Sequence, residues 1–361
     1  MNLYKLKLIP LISILITAIF STNSFALFDS SEKAALLENE KNTINIFKNN
    51  VMSVVNVSNI RNIKRGGFFS GYSEMEVPAG QGSGFVWDDK GHIVTNYHVV
   101  QGGDSFLISF HKDTKQYKAK FIGGEPKKDI AVLKLIEIPK NLKSLTIGSS
   151  QALQVGQKAL AIGNPFGLDH TITSGIISAL GRKIKGYGGV TIQGMIQNDC
   201  SINPGNSGGP LLDSQGKLIG MNTMIYSSSG SSSGVGFAVP VGTIKSIVPQ
   251  LIKHGKVIRP GLGIGLLEDN VKLYFGIEEG IVIKFVDPKG PAAKVGLKGM
   301  GRDGSGRYIF GDIIIKINNE KVNTYDDIYQ VLENYKVGQS VEVTFIRDGK
   351  EKKLKIKLGA L

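Results

Sequence analysis

A single cysteine, Cys200, stands among 361 residues, so no disulfide can form within the chain and its cores must hold the fold unaided. One cysteine cannot build a zinc cluster either, and no HExxH occurs, so neither a metal nor another cofactor is expected. No histidine lies near Cys200 in sequence, which reads it as a small apolar core residue rather than a nucleophile. Acidic residues are the minority, 30 Asp and Glu against 43 Lys and Arg, leaving a net charge of +13. Such a balance could serve nucleic acid or an anionic membrane. The densest basic run, Glu351 to Lys357, however, alternates Lys353, Lys355 and Lys357 with Leu354 and Ile356. That is a strand with one solvated face, and with no nucleic-acid-binding signature elsewhere, nucleic acid is not an expected partner.

Long apolar runs are also scarce. The run from Leu8 to Phe20 is broken by Pro10 and ends in polar residues, short of the ~20 a membrane span needs. With Lys5 and Lys7 before it and Ser24-Phe25-Ala26 after it, residues 1–26 read as a secretory signal peptide cut after Ala26, the alternative being a retained anchor.

Between Asn45 and Gln250 long helical periodicity is missing. Short strand-like runs such as GFVWD, HIVTN, SFLISF, IAVLKL, KALAIG and GVGFAVP alternate with glycine-rich turns, the pattern of an antiparallel barrel or sandwich. A helical lead-in, EKAALLENEKNTINIFKNNVMSVV, precedes them. After the polar connector KHGKVIRP, a second region from Gly261 carries GIVIKFV, the short helix candidate GPAAKVGL, GDIIIKIN, the amphipathic TYDDIYQVLENY and two strands joined at Asp348-Gly349, a small α+β domain.

The stretch NPGNSGGPLL sets three glycines around Ser207. Glycine loses the most backbone freedom on folding, so this density suits a turn whose conformation a Cβ would forbid, such as one aiming N–H groups at a developing negative charge. A plain Gly-Pro loop would look the same in isolation. A serine hydroxyl needs a base, and the base an orienting group. Of the five histidines, His98 ends an apolar run in HIVTNYHVV, and Asp129 in KKDIAVLKL precedes a strongly apolar strand. The order His98, Asp129, Ser207 is that of chymotrypsin-type proteases. The match of Gly205 to Gly209 to the G-x-S-x-G elbow of α/β-hydrolases fails on context, because strands surround it and only His254 follows the serine.

The chain resembles the HtrA, or Deg, serine proteases through GQGSGFV, TNYHVV, DIAVLKL, AIGNPFG, TSGIISALGR, INPGNSGGPLL and GVGFAVP, in that order. The resemblance implies a mainly β fold, a chymotrypsin-like double six-stranded β-barrel protease domain over 27–255 followed by a small α+β PDZ domain over 261–361. It implies His98 as general base and acid, Asp129 as its orienting group, Ser207 as nucleophile, and the N–H groups of Gly205 and Ser207 as the oxyanion hole. The specificity pocket falls at Ser201 and Ile202, where Asn198-Asp199-Cys200-Ser201 departs from the family's usual Thr-Asp-Ala-Ala. With no acid there, cleavage after small or medium aliphatic residues is expected rather than after Lys or Arg. Gly261, Leu262, Gly263 and Ile264 match the PDZ carboxylate-binding loop. KGMGRDGSGRYIFGD is longer than the usual link there, and its G-x-G-x-x-G lacks the strand and helix of a dinucleotide site. Segments 66–80, 182–189 and 226–234 fall where the family has regulatory loops. The resemblance also implies export to the periplasm with possible peripheral membrane association, unfolded or misfolded protein substrates, peptide C-termini at the PDZ domain, and a homotrimer or higher homo-oligomer. The rival expectation is a chaperone or PDZ adaptor with a dormant protease site.

Overall fold

The computed structural model describes residues 35–67, 71–165, 170–185, 191–203, 205–225 and 234–361, with the side chains of 64–67, 71–74, 224 and 225 excepted. The expected signal peptide, the segment 226–233 and the connections 68–70, 166–169 and 186–190 lie outside the described residues. Two units are distinguished, Met1–Asn45 and Ile46–Leu361. Helix α1 (Glu38–Asn50) begins in the first and ends in the second, where Ile46 is buried.

The first barrel closes in the order β1-β2-β3-β6-β5-β4. Its strands are β1 (Val54–Gly67), β2 (Gly71–Val86), β3 (His92–Thr95), β4 (Ser105–Ser109), β5 (Gln116–Glu125) and β6 (Ile130–Leu135), with the single-turn helix α2 (Tyr97–Val100) after β3. In β4 alternate residues are buried, as the period of 2 requires. The second barrel closes as β10-β11-β12-β9-β8-β7, from β7 (Lys158–Gly163), β8 (Thr171–Lys185), β9 (Thr191–Asn198), β10 (Pro210–Leu212), β11 (Leu218–Ile225) and β12 (Gly236–Pro240). Closure removes the exposed edges that single sheets must protect. Two of the expected loop segments carry strand in their described residues. β1 and β2 stay paired out to Gly67 and Gly71, so 71–80 is one arm of a long hairpin, and β8 runs through Arg182 to Lys185.

Helix α3 (Val241–His254) follows β12 directly, against the expectation of a region without long helices. Val241, Ile244, Ile247, Val248 and Leu251 form its buried stripe, and Gly255 stops it in the left-handed conformation, φ 70°, its N–H donating to Leu251 O at 2.8 Å. The stripe joins Phe85, Ile130 and Val132 of the first barrel and Leu160, Met195 and Leu212 of the second in one apolar cluster.

The C-terminal region has its own core, including Leu262, Ile281, Ile314, Val343 and Ile356. Its elements are β13 (Pro260–Gly261), β14 (Ile264–Leu266), α4 (Asp269–Tyr274), β15 (Ile281–Val286), α5 (Pro291–Lys294), β16 (Gly301–Arg302), β17 (Tyr308–Ile309), β18 (Ile313–Ile317), β19 (Glu320–Lys321), α6 (Tyr325–Glu333), β20 (Ser340–Arg347), β21 (Lys350–Lys357) and β22 (Gly359–Ala360). The main sheet runs β14-β15-β18-β20-β21, which leaves β14 at an edge, while β13 pairs with β22. Thr324 and Asp327 form a capping box that starts α6. The long KGMGRDGSGRYIFGD link folds as the small hairpin β16-β17.

Candidate active site and peptide groove

Asp129 is where the first barrel's geometry concentrates. A 3-10 turn, Pro126–Lys128, ends on it in the left-handed conformation, φ 55°, before β6 begins. Its side chain is 1% exposed, so it stands only with donors around it. Oδ1 accepts from the backbone N–H of His98 at 3.0 Å, and Oδ2 accepts from His98 Nδ1 at 2.8 Å and from the hydroxyl of Thr223 on β11. Asn96 Nδ2 donates to the Asp129 carbonyl at 2.9 Å. A carboxylate accepts, so His98 carries its proton on Nδ1 and keeps the Nε2 lone pair free for a substrate-side proton. His92 and Asp88 make a similar contact, 2.7 Å, but theirs closes the turn before β3.

Ser207 is tied to β2 of the first barrel, close to the helix that carries His98. The Ser83 N–H donates to Ser207 O at 2.8 Å, and a Cβ on Gly82 would lie 3.0 Å from that oxygen and 2.7 Å from Val99. Gly208, φ 86°, fits only without a Cβ, which would sit 2.1 Å from Ser83 O and 2.5 Å from Thr95 Oγ1. Gly205 has φ 104°, and a Cβ there would meet Pro165 at 2.5 Å. Ser83 Oγ donates to Gly205 O at 2.6 Å and accepts from Asn164 N at 2.8 Å, tying the turn to both barrels. Among the described residues the N–H groups of Gly205 and Ser207 have no acceptor, and Ser207 Oγ makes no hydrogen bond to His98. Catalytic hydrogen bonds are often long before substrate binds.

Of the expected specificity pair, Ser201 is exposed, its carbonyl accepting from Thr173 Oγ1 at 3.2 Å and Asn206 Nδ2 at 3.3 Å, whereas Ile202 points into the second barrel's core. Cys200 beside them is fully buried, its Sγ 3.4 Å from Ala159 O, and burial with the Asp199 charge pushes its thiol up to about 12. It is no nucleophile. The sequence offered no sign of Thr223 as a partner of the site, and although Ser83 and Asn164 lie in the blocks GQGSGFV and AIGNPFG, nothing in those blocks assigns a role to either. Hydroxyls and amides within glycine-rich strands have ordinary explanations until the barrels bring them together.

The loop at 261–264 turns two of its carbonyls toward the domain. Leu262 O accepts from Ala292 N at 2.8 Å and Gly263 O from Asp287 N at 2.9 Å, while Gly263 has φ 71°. Among the described residues the N–H groups of Leu262 and Gly263 donate to nothing, and Leu262 keeps its side chain in the core. Beside them Ile264, Leu266, Ile328 and Tyr329 line a groove of about 860 Å³ between β14 and α6, with Lys127 and Lys128 of the first barrel on its wall. Lys127 Nζ lies 4.2 Å from the Tyr329 ring centre, Lys128 Nζ 2.9 Å from Glu333 Oε2, and Arg259 pairs with the buried Glu125. Burial holds the Tyr329 phenol well above its ordinary value, with the Arg259 charge opposing.

Residues 82–221 match the family of trypsin-like peptidase domains, and residues 260–358 match the PDZ domain family. The chain is 46% identical over 340 residues to Protease Do-like 1, chloroplastic, of Arabidopsis thaliana, covering 94% of this chain and 76% of that one. A probable periplasmic serine endoprotease DegP-like of Pseudomonas savastanoi pv. phaseolicola is 39% identical over 284 residues, 78% of this chain and 56% of the relative. Among solved structures, the HtrA-type protease AlgW with a decapeptide superposes with a TM-score of 0.65 at 32% identity, over 88% of this chain and 98% of that one. The serine endoprotease from Yersinia pestis gives 0.61 at 30% identity, over 88% and 98%. The chain is a serine endopeptidase and belongs to the HtrA/Deg family, with a trypsin-like peptidase domain followed by one PDZ domain.

Proposed function

We propose that this protease degrades unfolded or misfolded proteins without ATP, outside the cytoplasm, through His98, Asp129 and Ser207, and that its PDZ groove binds exposed C-termini. The observation that carries the reading is the buried Asp129 carboxylate holding His98 Nδ1 at 2.8 Å, in a chain whose glycine-flanked Ser207 is tied by its carbonyl to Ser83 of the same barrel. In this scheme His98 Nε2 takes the Ser207 proton as Oγ attacks the scissile carbonyl, and the N–H groups of Gly205 and Ser207 hold the oxyanion. His98 then protonates the leaving amine, and water enters by the same route to free the acyl group. Ser201, a hydroxyl rather than an acid at the pocket position, favours small or medium aliphatic side chains before the scissile bond. In the groove a peptide adds a strand to the β14 edge while its carboxylate takes the N–H groups of the loop at 261–264.

Domain limits of 27–255 and 261–361, a cleaved leader at 1–26 and a homotrimer or larger assembly belong to the same reading. Export is supported by the periplasmic relatives, although chloroplast relatives are equally at hand; among the described residues no helix is long and apolar enough to cross a membrane. The second reading, a chaperone or adaptor with a dormant site, draws on the missing hydrogen bond between Ser207 and His98.

The test is degradation of an unfolded model protein by the chain and by Ser207→Ala, with and without a peptide ending in a hydrophobic residue, free or amidated. Cleavage by the parent alone, stimulated by the free-acid peptide only, is the expected result. Equal inactivity of both, with suppression of aggregation, would establish the dormant reading instead.

A further inference from the structure

Two histidines that peptide hydrolysis leaves unused meet across the barrels. His111 follows β4 of the first barrel, His170 precedes β8 of the second, and their Nδ1 atoms are 3.2 Å apart. Their rings stand at 88° with centres 4.9 Å apart. His170 Nε2 lies 2.8 Å from the carbonyl oxygen of Val54. A carbonyl only accepts, so Nε2 carries the proton and the neutral ring aims its Nδ1 lone pair at His111. Donation of the far ring N–H to a backbone carbonyl is how metal-ligating histidines are commonly oriented.

Two nitrogens 3.2 Å apart, each at the ~2.0–2.1 Å of a zinc–imidazole bond, subtend about 100° at the metal, close to tetrahedral. A third donor stands beside them. Asn164 is 3% exposed, its side-chain nitrogen is 3.5 Å from both ring nitrogens of His170, and its Oδ1 has no hydrogen-bond partner among the described residues. Turning the amide end for end brings that orphaned oxygen to the same 3.5 Å from Nδ1. Imidazole nitrogens with one amide oxygen suit Zn²⁺, Cu²⁺ or Ni²⁺, not the all-oxygen preferences of Ca²⁺ and Mg²⁺.

We infer that His111, His170 and Asn164 form a site for a divalent transition-metal cation that pins the two barrels together. On binding, the cation takes the Nδ1 lone pairs of both rings and the proton on His111 Nδ1 passes to Nε2 through solvent, so no covalent bond of the chain changes. The backbone of Asn164 reaches Gly205 through the Ser83 hydroxyl in two hydrogen bonds, of 2.8 Å and 2.6 Å. The site therefore adjoins the turn that carries Ser207.

The probe is Zn²⁺ alone, titrated calorimetrically into the chelator-treated full chain carrying Ser207→Ala. One cation per chain is expected, with affinity falling roughly tenfold or more in His111→Gln and in His170→Gln. Zn²⁺ raises the melting temperature of the parent but not of either variant, and Asn164→Asp binds more tightly. His98→Gln leaves the titration as it was. No saturable binding, unchanged affinity in His111→Gln, or loss confined to His98→Gln overturns the site. Should His170→Gln fail to fold, His111→Gln decides alone, because its substitution spares the bond to Val54.

Discussion

Lys128 donates to Glu333 at 2.9 Å across the boundary between the first barrel and helix α6, and Lys128 is the covalent neighbour of Asp129. Its side chain is 10% exposed against 32% for Glu333, so solvent screens the pair only in part. A double-mutant cycle of Lys128→Ala and Glu333→Ala, read by denaturant unfolding, is expected to return a coupling of about 1 kcal/mol. Additive single effects would show that the pair is ornamental.

Asp129→Asn keeps the shape but offers His98 a donor where it needs an acceptor, turning the imidazole to the wrong tautomer. Peptide-hydrolysis kcat should fall by roughly 10⁴ with native circular dichroism. Thr223→Val removes one of the donors to Oδ2 and should cost about tenfold, because His98 still holds the carboxylate from two sides.

At Gly205 the backbone conformation and the neighbour act together. Gly205→Ala would need φ 104° and a Cβ 2.5 Å from Pro165, so the turn must shift and with it the N–H groups on either side of Asn206. Steady-state kinetics should show kcat reduced by roughly 10²–10³ with KM little changed. Ser83→Ala, which unties Gly205 O and Asn164 N without touching substrate, should move the same parameter less.

The Cys200 thiol is raised by burial from 9.0 to about 12. The native state therefore keeps its proton after the unfolded state has lost it. Stability from this group is complete below pH 9 and is lost as pH rises from there toward 12, at up to about 1.4 kcal/mol per unit. Cys200→Ala should flatten the alkaline limb of the stability curve. In the native chain at pH 8 the thiol should resist alkylation until denaturant is added; rapid labelling without denaturant would contradict its burial.

The strands and the second domain were legible because alternation and turn residues survive in the sequence, as Leu354 and Ile356 facing inward between exposed lysines illustrate. Helix α3 was not, since Gly242, Thr243, Val248 and the internal Pro249 all disfavour a helix that tertiary burial of Ile244, Val248 and Leu251 enforces. The spacing of those apolar residues was the available clue. His98, Asp129 and Ser207 could be proposed as a set from their order and settings, and the contact between the first two is present in the fold. Thr223, Ser83, Glu125 and Lys128 act through contacts between segments far apart in the chain, and no local pattern marks such partners.

Helix α3 also bears on the order in which the molecule can be completed. Barrel one is translated first, yet its Ile130 and Val132 share their apolar cluster with residues 241–254, more than a hundred positions downstream. A nascent chain that has made His98 and Asp129, and even Ser207, still lacks the cover for the strand that carries Asp129. The cover for the strand that carries Asp129 thus arrives late in synthesis, and a chain truncated before Val241 would leave Ile130 and Val132 without the helix that buries them.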